Sequence, residues 1–71
     1  MKRYLIVVEP TKTGYSAYFP DLDGCVTTGA TLLQVQKNMQ AAIEFHLQGL
    51  KLAKIRIPPT RATIAFAEVS A

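Results

Sequence analysis

Apolar residues fall at both parities along Arg3 to Glu9 (RYLIVVE), alternate along Tyr15 to Phe19 (YSAYF), and recur every three or four residues between Leu32 and Leu50. These periods predict strands first and a helix after them. A strand apolar on both sides suits a sheet covered on two faces, or one whose second face meets a partner. The intervening PTKTG has the residues of a hairpin loop, so the first strand should pair antiparallel with the second. Within Tyr15–Phe19, Tyr15, Ala17 and Phe19 share one face, and Ser16 and Tyr18 the other.

Pro20 ends the second strand by removing a ladder donor, and DLDG turns the chain toward Cys25–Thr28, a third short strand. Thr31 is an N-cap, and Gln34 stands where a capping box needs a glutamine to reach back to the Thr31 N–H. The helical stripe then reads Leu32, Val35, Met39, Ala42, Ile43, His46 and Leu50, fraying near Gly49 to Ala53 before IPP forbids continuation. Ala62–Val69 (ATIAFAEV) reads as a fourth strand. The expected fold is α+β, in the order β-β-β-α-β: an antiparallel sheet with one long helix on one face. One helix covers only part of a four-stranded sheet, and the remaining apolar surface calls for another chain.

The 71 residues allow one domain, 1–71, whose small core makes stability marginal without oligomerisation. The apolar run Tyr4–Val8 is too short for a signal peptide or a membrane span, which points to a soluble cytoplasmic protein without membrane contact. One cysteine excludes an intramolecular disulfide, and zinc-site spacings are absent. The net charge of +3 is concentrated, since Lys51, Lys54, Arg56 and Arg61 supply half of the eight Lys and Arg. Such a patch attracts phosphate backbone, but it also suits a helix C-terminus, and it lacks interleaved aromatics for stacking bases.

Chemistry-bearing residues are few. Asp21 and Asp23 lie two apart in a turn, but a hard cation wants at least six oxygens and no third carboxylate is near in sequence. Cys25 as a nucleophile needs a base, and the sole histidine, His46, sits on the apolar stripe. A minimal hydrolase of Asp21, Asp23 and His46 is the weakest of the readings; no enzyme, metal or cofactor is expected.

The segment GYSAYFPDLDGCVTTGAT, followed by the long helix, resembles the amino-terminal domain of the HicB antitoxins, with the pattern G-Y-x-x-x-F-P-D-L-x-G-C-x-T-x-G-x-T. Gly14, Tyr15, Phe19, Pro20, Asp21, Leu22, Gly24, Cys25, Thr27, Gly29 and Thr31 match it. The resemblance implies a degraded ribonuclease H-like or dsRBD-like fold without a catalytic acid set. It also implies a module that occludes an RNA-cleaving HicA-like toxin, while the small core and the half-covered sheet add self-association as a homodimer or tetramer. The chain departs from the family in two ways: only Glu44 is acidic along Leu32–Leu50, and no DNA-binding domain follows, so operator binding is not expected.

With Met39, Ile43, His46 and Leu50 as the core line, 100° steps place Ala41, Phe45 and Leu52 off it, where a phenylalanine and a leucine suggest a contact patch. Tyr18, opposite in parity to Tyr15 and Phe19, joins them as a candidate partner contact. The alternative is a small nucleic-acid-binding domain using the Lys51 to Arg61 patch.

Overall fold

In a computed structural model that describes residues 3–22, 24–57 and 59–70, three four-residue strands form: β1 (Val7–Pro10), β2 (Tyr15–Tyr18) and β3 (Val26–Gly29). They make one antiparallel sheet in the order β1-β2-β3, with Val7 opposite Tyr18 and Tyr18 opposite Val26. The Thr11 N–H donates to the Gly14 carbonyl at 2.8 Å and closes the first hairpin. β1 begins four residues later than the expected Arg3. Continued backward, its register would set residues 3–6 against 19–22, where Pro20 and a turn closed by Leu22 N–H to Phe19 O (3.2 Å) offer no ladder. Gly24, at φ +79°, makes the return toward β3 in a region that side chains disfavour.

The helix α1 (Leu32–Leu52) starts where Thr31 predicts: its hydroxyl accepts the Gln34 N–H at 3.1 Å. The other half of the expected capping box does not form, because the Gln34 amide donates instead to Asn38 Oδ1 at 2.8 Å. Asn38 in turn donates to the Thr28 carbonyl at 2.8 Å and so ties α1 to β3. At the other end, Ile55 N–H reaches Leu50 O (2.9 Å) and Lys54 N–H reaches Lys51 O (3.1 Å), with Lys54 at φ +58°. These two bonds around a left-handed residue are a Schellman motif.

Among the described residues the buried core is Ala17, Phe19, Cys25, Val35, Met39 and Ile43, with Tyr4, Ile6, Val8 and Leu47 packed against it. Tyr4 meets Phe19 edge to face, ring centroids 5.0 Å apart. The helical core line is therefore Val35, Met39, Ile43 and Leu47, one turn apart; of the positions expected on it, Leu32 is exposed at the first turn, and His46 and Leu50 are only half-buried.

The fourth strand is a correction. Among the described residues, 62–69 pair with no strand, and Ile64 and Phe66 are 70% and 90% exposed. The composition favours a strand, but a strand exists only beside an edge that supplies its hydrogen bonds. This segment is fastened at its start alone, by Thr60 and by the N–H groups of Arg61 and Ala62. The observed order is β-β-β-α.

Candidate protein-binding surface

The sheet has two unlike faces. Val8, Ala17 and Thr27 lie in register on the face beneath α1, whereas Val7, Tyr18 and Val26 lie in register on the face that α1 leaves open. Ala17 is sealed; Tyr18 and Val26 are exposed. Direct cross-strand neighbours bring their Cβ atoms to about 5 Å, so Tyr18 and Val26 present one apolar patch. Val26 was not among the sequence candidates. Its signal was available, because the residue after a buried Cys25 in a strand must point the other way.

On the helix, Phe45 is 78% and Leu52 80% exposed, and Ala41 is also exposed. Phe45 borders a shallow depression with Gly24, Val26, Ala42 and His46, so Val26 at the β3 edge links Tyr18 on the sheet with Phe45 on the helix. Leu52 stands seven residues on, two turns along the same side and about 10 Å away. Ala41, four residues before Phe45, lies one turn back. An amphipathic ring, a valine and a phenylalanine along one rim suit the apolar centre of a protein interface.

Of the residues weighed for catalysis, Asp21 and Cys25 have places in the fold. The Asp21 carboxylate accepts the Arg61 N–H at 3.2 Å and the Ala62 N–H at 3.0 Å, so it fastens a segment forty residues away. Asp23 lies outside the described residues. Cys25 is buried and free, and burial pushes its thiol up, which disfavours the thiolate a nucleophile needs. His46 is half-buried on the rim of the depression that Cys25 also lines. Among the described residues no three His, Cys, Asp or Glu side chains group as metal ligands. No described helix is long and apolar enough to cross a membrane.

The basic residues Lys51, Lys54, Arg56 and Arg61 are all exposed. Lys51 sits in the last turn of α1, where a cation is favoured by the helix dipole. Lys54 holds the left-handed cap position, and the Arg61 backbone is held by Asp21.

The motif residues are distributed over turns and close approaches. Pro20 follows the buried Phe19, Gly24 turns, Thr31 caps, and Gly29 lies against α1, where an added Cβ would stand 2.6 Å from the Val35 nitrogen. Tyr15 opens β2 opposite Gly29, and Gly14 just before it lies against the Gly29 carbonyl.

A profile of the HicB-like antitoxin of bacterial toxin–antitoxin systems matches residues 4–68. An uncharacterised protein from the rep-hol intergenic region of Haemophilus phage HP1 is 38% identical over 47 residues, and a UPF0150 protein of Helicobacter pylori 38% over 45. The matches cover 66% and 63% of this chain but 35% and 62% of those relatives. Among solved structures, a chain of the HicA3 and HicB3 toxin–antitoxin complex is 33% identical with a TM-score of 0.70, over 83% of this chain and 70% of that one. With the family's profile spanning the sheet, the helix and most of the segment after it, this chain belongs to the HicB-like antitoxins of bacterial toxin–antitoxin systems.

Proposed function

We propose that this chain is a non-enzymatic, cytoplasmic antitoxin module that neutralises a small RNA-cleaving toxin of the HicA type by covering it. The observation that carries the reading is the likeness, at 33% identity, to a chain of the HicA3 and HicB3 complex, together with the open rim of Tyr18, Val26, Phe45 and Leu52. All 71 residues act as one domain. Apolar contacts at the centre of this rim supply affinity. α1 contributes little charge attraction, since Glu44 is the only acid between Leu32 and Leu52.

The test is co-purification of the tagged chain with the toxin encoded beside it, followed by an RNA-cleavage assay before and after the two are separated. Cleavage that is silent in the complex and restored on separation is the expected result; a chain that captures no such partner sinks the reading. Phe45→Glu sets a charge in the middle of the contact, and the complex should weaken at least 100-fold by calorimetry. An unchanged affinity would remove Phe45 from the interface.

A further inference from the structure

The last turn of α1 and the residues after it interleave cations with large apolar side chains: Lys51, Leu52, Lys54, Ile55 and Arg56. All of these are exposed, Leu52 at 80% and Ile55 at 56%. None of the side-chain hydrogen bonds among the described residues engages the cations. No acid stands between Glu44 and Glu68 in the sequence. Glu44 lies two turns before Lys51, about 10 Å away, and accepts the Gln40 amide at 3.1 Å. The strip is positive along its length and offers apolar area between its charges.

Helix chemistry accounts for only part of it. A cation near a helix C-terminus answers the dipole, but that effect fades beyond the last turn, so Lys51 serves it and Arg56 does not. Lys54 works against the fold, since it sits at φ +58° in a position that glycine fills without strain. Strain of this kind is characteristic of side chains that serve a binding or catalytic function. The strip is also held in place: Ile55 N–H reaches Leu50 O at 2.9 Å and Lys54 N–H reaches Lys51 O at 3.1 Å. The backbone thus fixes the order of charge and apolar group before any partner arrives, which lowers the entropy lost on binding.

Leu52 makes the strip continuous with the Tyr18–Phe45 rim, on which it lies two turns beyond Phe45. We infer, on the antitoxin reading above, that Lys51, Lys54 and Arg56 select the toxin by charge, accepting one that sets carboxylates against the end of α1 and rejecting one that is basic there. Opposite charges at the margin of an apolar contact speed association and fix its register, and like charges there exclude wrong partners. Leu52 and Ile55 favour a protein over a nucleic acid, which would call for aromatic side chains to stack its bases and leave exposed aliphatic ones uncovered. A protein that cleaves RNA holds phosphates with its own cations, so the end of α1 rests beside the RNA cleft and not in it.

The experiment is calorimetry of the full chain against the toxin encoded beside it, at 0.1 M and 1 M salt, where the screening length falls from about 10 Å to about 3 Å. The double variant Lys51→Glu, Lys54→Glu should keep its circular dichroism. It should bind about tenfold more weakly than the wild type at 0.1 M and within about twofold of it at 1 M. Lys54→Gly should raise the thermal midpoint and yet bind about threefold more weakly at 0.1 M, which a purely structural lysine would not do. Equal affinity of the wild type and the double variant at 0.1 M overturns the charge selection and leaves the antitoxin reading standing. A toxin that binds neither chain overturns both. Affinity lost in the double variant only for a labelled DNA duplex, and not for the toxin, assigns the strip to nucleic acid and overturns the charge selection as well.

Discussion

Lys54 occupies a backbone conformation that side chains resist. At φ +58° it is the left-handed residue of the Schellman motif that ends α1, a place glycine ordinarily takes. The left-handed region costs an ordinary residue about 1 kcal/mol, and Lys54 is exposed, so its side chain returns no packing. Lys54→Gly should therefore stabilise the fold by up to about 1 kcal/mol, raising the thermal midpoint by several degrees in a scan at fixed protein concentration. A fall in the midpoint would mean that the lysine's charge at the helix terminus outweighs its backbone strain. Asp21 shows the other side of residue-level reading. Its place in a turn invites a metal or an acid/base role, yet its oxygens are engaged by the amides of Arg61 and Ala62.

Between elements, the controlling contact is that of α1 on β3. Gly29 lets the first turn of α1 descend onto the strand, where a Cβ would meet the Val35 nitrogen at 2.6 Å and the Val35 Cα at 2.8 Å. Those neighbours are backbone and cannot rotate aside. Gly29→Ala should then push α1 off the sheet and cost about 1–3 kcal/mol, read as a lower midpoint in denaturant with little change in slope. The Asn38 bond to Thr28 O fixes the same docking from the side-chain end. The contrast with residues 62–69 is instructive: they have the β-branched and aromatic composition of a strand but pair with neither edge of the sheet.

At the scale of the whole molecule, six buried side chains among the described residues make a small core, and a domain of this size stands close to the stability threshold. Binding that favours the folded state makes the unfolding midpoint rise with concentration. Self-association of the folded chain would make the wild-type midpoint climb by several degrees over a hundredfold range of protein concentration. A flat wild-type midpoint would show that folding and assembly are not coupled.

What the sequence determined by itself is what depends on near neighbours along the chain. The Thr31 cap, the period of α1, the Pro20 stop and the inward set Ala17 and Phe19 all follow from contacts within a few residues, and the structure places them as read. Parity likewise turned Tyr18 outward. What only the tertiary structure decided involves partners far apart in the chain. These include the pairing of Tyr18 with Val26, the place of Leu47 on the core line where His46 and Leu50 were expected, and the capture of Ala62 by Asp21 forty-one residues away. The fate of the last segment belongs to the same class. Propensity makes residues 62–69 able to be a strand, but backbone hydrogen bonds must be met by an edge, and this segment pairs with neither edge strand of the sheet, β1 or β3.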